Sequence, residues 1–240
     1  MDFQETLAIH FPGALSEESF VEASSAALNR FGFRKENAIA CIGVCRDEIT
    51  RPLVDRLQSA WGDPFVFSGL GGMLFMGKTG LSAAHHHAPV TDGRERFVHF
   101  AMAHIAIDES GEIGVCCRPG RPGTSGACGA LMAMRQEMAE GCVHPEPDPL
   151  DPEFVLLKQR LLGRIPYGEI PDLVSLTKIV HEIIAEDLEQ LVEATLDREH
   201  ADSAMITGIQ IHGPHGGHFI WPGIARAVVA GESRKLDLGK

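Results

Sequence analysis

Ala38-Ile39-Ala40-Cys41-Ile42-Gly43-Val44-Cys45-Arg46-Asp47 is the stretch on which the reading turns. Eight apolar or small residues end abruptly in two charges, the pattern of a buried strand that stops at a surface. Cys45 and Asp47, two apart, share one face of that strand, while Arg46 points away. A thiol and a carboxylate on one face at a strand mouth look into a site.

Outward from this strand the chain alternates helices and strands. Upstream, an amphipathic helix opens behind Ser16 and stops at Gly32. Downstream, Thr50-Arg51-Pro52 starts a helix through about Trp61, with Pro52 suited to its first turn. Gly62-Asp63-Pro64 is a break, and 65–83 reads as a glycine-rich apolar loop. A long strand, about 96–107, turns at Asp108–Glu112 into a short strand over 113–117, as in a hairpin. The loop 118–124 delivers a helix over about 126–140, in which Cys128 occupies the first turn behind a Ser125 cap. A Pro-rich connection over 144–151 precedes helices over 152–163 and 174–197. A strand over 203–212 and a Gly/His-rich tail complete the chain. The fold class is α/β, and 240 residues that are 44% hydrophobic suffice for one core, so residues 1–240 are read as a single domain.

A formal charge of −12 argues against nucleic-acid and anionic-membrane partners, which need concentrated basic charge. No apolar run approaches a membrane span, and Met1–Thr6 lacks the layout of a targeting segment. Six cysteines are too sparse for a disulfide scaffold, so a cytoplasmic location is expected.

Cys45, His104 and Cys128 form a candidate metal set. Two thiolates and an imidazole are donors zinc prefers, and three protein ligands leave its fourth position open. A helix N-terminus also favours the Cys128 thiolate. Each residue has a plainer reading as a small buried hydrophobe or a core histidine. Cys41, Cys116, Cys117 and Cys142 fit that plainer reading better. His85-His86-His87 and the series His212, His215, His218 are rival sites, better read as loop residues or pocket wall. Gly72-Met73-Leu74-Phe75-Met76-Gly77-Lys78-Thr79 satisfies the phosphate-loop pattern G-x-x-x-x-G-K-[ST]. Its bulky apolar interior suits burial, however, and at most a short helix follows.

Five segments follow one another in order: Cys45-Arg46-Asp47-Glu48, Gly71-Gly72-Met73 through Gly77-Lys78-Thr79-Gly80, Asp92-Gly93-Arg94-Glu95-Arg96, His104-Ile105 and Ser125-Gly126-Ala127-Cys128-Gly129-Ala130-Leu131. Together they resemble the low-CO2-inducible protein B/C family, the group related to theta-class carbonic anhydrases. The resemblance implies a central mixed β-sheet flanked by helices, as in beta-carbonic anhydrases. It also implies zinc on Cys45, His104 and Cys128. Beta-class Cys-x-Asp matches Cys45-x-Asp47, but where that class places an Arg two residues later this chain has Ile49.

The implied activity is reversible hydration of CO2 to bicarbonate by a zinc-bound hydroxide. Asp47 would orient that hydroxide, and an Arg must hold the carboxylate ionised and off the metal. Arg51, just past the turn, is the first choice, with Arg94 or Arg46 behind it. Residues 69–81 would wall the CO2 pocket, and His86 or His87 would pass the proton out. A symmetric homodimer is expected, because the loop Gly69–Met76 carries more apolar surface than a monomer leaves in water. The alternative is a catalytically inactive zinc-binding homologue that handles inorganic carbon through partner binding.

Overall fold

The computed structural model describes residues 1–118 and 120–239. The elements run α1 Phe3–His10, β1 Leu15–Ser16, α2 Glu17–Arg30, β2 Ile39–Cys45, α3 Arg51–Trp61, β3 Phe65–Gly69, α4 Gly77–His85 and β4 Val90–Thr91. They continue with β5 Arg94–Ala106, β6 Val115–Cys117, β7 Thr124–Gly126, α5 Gly129–Glu140, α6 Pro152–Leu162 and α7 Leu173–Thr195. β8 Ala201–His212, β9 His218–Val229 and β10 Glu232–Lys235 end the chain. An eight-stranded mixed sheet has the path β1-β9-β8-β5-β2-β3, with β10 on β9 and β4 on β5. β3, β2, β5 and β8 are mutually parallel, and β9 runs antiparallel to β8.

Side-chain alternation divides the core into two layers. Ala40, Ile42 and Val44 of β2, with Val98, Phe100 and Met102 of β5, pack with Phe20 and Leu28 of α2 and Leu53 and Leu57 of α3. Cys41 and Cys45, with Ala101, Ala103 and Ile105, face the other layer, which α7 dominates through Leu176, Val180, Ile183 and Ile184. β2 and β5 are thus buried on both faces, which is why they read as near-continuous apolar runs. From β2 the chain passes through α3 to β3, on one side. After β5 it reaches β8 on the other side. β2 and β5 therefore flank a topological switch point, and the crevice outside their carboxyl ends is where open α/β sheets bind ligands.

The structure departs from the sequence reading in several places. The tail is two strands, because β9 finds a full antiparallel partner in β8 despite Pro222 and Gly223. The 65–83 segment contains β3, a 3-10 turn over Leu70–Gly72 and most of the nine-residue α4. Gly72, at φ +85°, lies so close to β5 that a Cβ would sit 2.2 Å from the Met102 carbonyl oxygen. Met73 and Leu74 are core residues there, which rules out a phosphate cradle. Residues 113–117 form no ladder with the long strand: the pairing there is the single bridge Ile107–Ile113, and β6 pairs with β7 instead. Among the described residues no helix is long and apolar enough to cross a membrane.

Candidate metal centre

Cys45 is the last residue of β2, His104 lies two short of the end of β5, and Cys128 caps the N-terminus of α5. All three meet at the switch point, with ligand atoms within 4.8 Å of one another, and all are buried. The Cys45 and Cys128 Sγ atoms are 3.9 Å apart. Two thiolates at about 2.3 Å from one tetrahedral ion would stand about 3.8 Å apart, so the spacing suits zinc. Nε2 of His104 is buried with no hydrogen-bond partner, while its Nδ1 lies 3.1 Å from His212 Nε2. His212 Nδ1 in turn lies 3.0 Å from His218 Nδ1. A proton on His104 Nδ1 would be donated to His212, leaving the orphaned Nε2 lone pair for a metal. His212 and His218, read above as a rival site, thus support His104 instead.

The electrostatics favour thiolate. The Cys128 thiol hydrogen bond, against the cost of burial, brings Cys45 down to about 4, with His104 assisting. Cys128, which supplies that hydrogen bond, is pushed up, and burial adds to the rise. One proton is thus shared by the pair, the state a metal would replace. Ser125 does not cap α5; it lies in β7, and its hydroxyl accepts from Arg118 Nε at 2.7 Å.

Asp47 follows β2 and caps the short turn Glu48–Thr50, accepting from the Ile49 N–H. Its guanidinium partner is Arg118, which donates Nη1 to Oδ1 at 2.7 Å and Nη2 to Oδ2 at 3.0 Å. Arg118 also donates to the Gly126 carbonyl and pairs with Glu48. Burial opposes ionisation of Asp47, but the Arg118 hydrogen bonds and the nearby His104 hold its carboxyl below the usual range. The expected partner Arg51 points instead down its own helix to Asp55, one turn on. Arg94 bonds Asp202, and Arg46 bonds Glu153. Arg118 was not singled out because it comes from an irregular loop 71 residues away. Its sequence signal is weak, since Arg121 also lies ahead of the Cys128 segment.

Asp47 lines a cleft of about 550 Å³ with Cys45, Thr50 and Ser68. Arg118 lines another, of about 760 Å³, with Cys116 and Gly213. The apolar segment Gly71-Gly72-Met73-Leu74 is buried in the same layer as Cys45 and Cys128, so it does not offer the exposed surface expected of it. His86 and His87 are not brought to the triple. They follow His85, which sits beside Cys41 and His99, five residues back along β5 from His104, or about 16 Å.

A mixed α/β sheet with a Cys/His/Cys cluster at its switch point, and a carboxylate–guanidinium pair beside it, defines a candidate thiolate–imidazole metal centre. Residues 14–229 match the family model described as limiting CO2-inducible proteins B/C beta carbonic anhydrases, and the chain belongs to that family. The crystal structure of limiting CO2-inducible protein LCIB is similar, at 37% identity and TM-score 0.80 over 97% of each chain. That of PtLCIB4, a homologue of LCIB, shares the fold at 24% identity and TM-score 0.82, over 97% of this chain and 99% of that one. Its H88A mutant superposes with TM-score 0.84 at 23% identity, over 99% of both chains. Comparison with curated proteins gave no match.

Proposed function

We propose that this chain is a zinc-dependent carbonic anhydrase that interconverts CO2 and bicarbonate. The observation that carries the reading is the buried Cys45/His104/Cys128 cluster with its orphaned His104 Nε2, set beside an Asp47 clamped by Arg118. Zinc held there would supply a water acidified toward neutral pH, able to attack CO2. Cys45 and Cys128 would bind as thiolates, and His104 through Nε2 with its ring fixed by His212. Arg118 bonds both Asp47 oxygens, which keeps the carboxylate ionised and would restrain it from taking the metal's fourth position. Oδ1 accepts from both Arg118 and the Ile49 N–H, whereas Oδ2 accepts from Arg118 alone among the described residues and retains a lone pair that could take a hydrogen bond from the reacting water and orient it. Met73 and Leu74 keep bulk water from the layer behind the cluster.

Residues 1–240 act as one domain in this reading, in a cytoplasmic setting. It works as a homodimer. Two-fold pairs are the commonest closed assembly, and among the described residues β3 has no strand on its outer edge, where Val66 is exposed. The test is Asp47→Asn. It should retain zinc and slow CO2 hydration by about 10² or more, the range for losing a positioned acid–base group. Equal zinc with activity within a few-fold of the parent reduces Asp47 to a turn residue.

A further inference from the structure

A second Cys/His cluster lies on the α7 side of the sheet, four residues before Cys45 on the same strand. Cys41 of β2 is the register partner of His99 on β5, and His85, the last residue of α4, closes over them. Their ligand atoms lie within 4.8 Å of one another, and all three side chains are buried. We propose that Cys41, His85 and His99 form a second metal site, for a zinc-class ion, distinct from the Cys45/His104/Cys128 centre.

The geometry selects lone pairs. His99 Nδ1 is 3.1 Å from the Ala204 carbonyl oxygen, which can only accept, so the proton of a neutral His99 resides on Nδ1 and Nε2 is a free donor pair. That Nε2 faces His85 Nε2 at 3.1 Å. Two imidazole nitrogens at about 2.05 Å from one tetrahedral ion stand about 3.3 Å apart, so the observed pair is nearly in ligand register. Nδ1 of His85, 7% exposed, has no partner. In the metal-free protein one of the two Nε2 atoms must carry a proton shared with the other, and a bound ion would displace it to the unpartnered His85 Nδ1.

The surroundings fit a soft or borderline cation. Phe97 packs on His85 with ring centroids 4.3 Å apart, and Leu81 and Ala84 are fully buried beside it. Burial lowers His99 to about 3 and His85 to about 4, so both rings are neutral ligands at physiological pH. Burial pushes Cys41 up to about 12, so its proton is one that a metal must displace. Thiolate with imidazole, and no carboxylate, selects zinc or copper(I) over calcium, magnesium or manganese. The site would tie the end of α4 to β2 and β5. It needs no catalytic role, and it does not depend on the proposed activity.

Zinc stoichiometry tests the assignment. Metal-free protein is loaded with excess zinc, desalted, and analysed for zinc per folded chain. The parent should hold two, Cys45→Ser one, and His85→Gln one, with CO2 hydration of His85→Gln retained. Zinc should also raise the melting temperature of Cys45→Ser, and this increment should vanish in Cys45→Ser/His85→Gln. Cobalt(II) in Cys45→Ser should give thiolate charge-transfer absorption that the double variant lacks, a readout that holds even if one variant folds poorly. A parent that binds one zinc, with Cys45→Ser binding none and showing no cobalt–thiolate band, overturns the proposal.

Discussion

Arg118→Gln is the substitution that separates the structure from the simplest reading of the sequence. Arg118 and Asp47 are each 13% exposed, and the pair is bidentate. Removing the guanidinium deletes two charge-assisted hydrogen bonds, each worth about 1.5–3 kcal/mol. The residual exposure and the retained Ile49 N–H offset part of that, leaving about 3 kcal/mol of lost positioning. At about 1.4 kcal/mol per tenfold, CO2 hydration should fall by about 10². Asp47 should also titrate higher, and, no longer held, it can turn toward the thiols. Stopped-flow hydration with a pH indicator, normalised to measured zinc, gives the result directly. Arg51→Ala is the control: Arg51 is exposed and its ion-pair partner among the described residues is Asp55, not Asp47, so its rate should match the parent. If Arg118→Gln keeps parental activity at parental zinc while Arg51→Ala loses it, the pairing described above is wrong.

Two further outcomes follow from buried imidazoles. His212→Phe removes the acceptor facing His104 Nδ1, so zinc affinity at the first centre should weaken by about 10- to 100-fold in a chelator competition. Unchanged affinity means that His212 is only packing. In metal-free protein, burial holds His85, His99 and His181 at about 4, 3 and 4, against about 6.5 when unfolded. The unfolded chain therefore binds more protons below pH 6.5, and each His removes up to about 1.4 kcal/mol of stability per unit of acidification. Glu17, raised by burial to about 6, works the other way between its ordinary 4.5 and 6. The net is a falling melting temperature from pH 7 to pH 5, and a flat or rising profile contradicts the burial of these rings.

What was legible in the sequence is what local periodicity encodes. β2 and β5 are legible because strands buried on both faces are near-continuous apolar runs. Cys45 and Cys128 stood out because one ends such a strand and the other begins a helix. Arg118 was invisible for the opposite reason: it meets Asp47 through tertiary packing alone, with 71 residues between them. Proximity along the chain had favoured Arg51, whose helical position sends it to the residue one turn on. β9 was missed because its Gly, His and Pro content masks strand character that β8 enforces. α1 was missed although Asp2 and Glu5 form a reciprocal capping box. Cys41 looked like a small hydrophobe, since nothing in one strand reveals which imidazoles the neighbouring strand and helix supply.

The measurement closest to the central claim is the CO2-hydration rate of zinc-loaded, metal-quantified protein, compared with Cys45→Ser prepared identically. The account predicts acceleration well above buffer in the parent and its loss in Cys45→Ser, with the first-centre zinc gone. A folded parent carrying zinc on Cys45, His104 and Cys128 that hydrates CO2 no faster than buffer would contradict it.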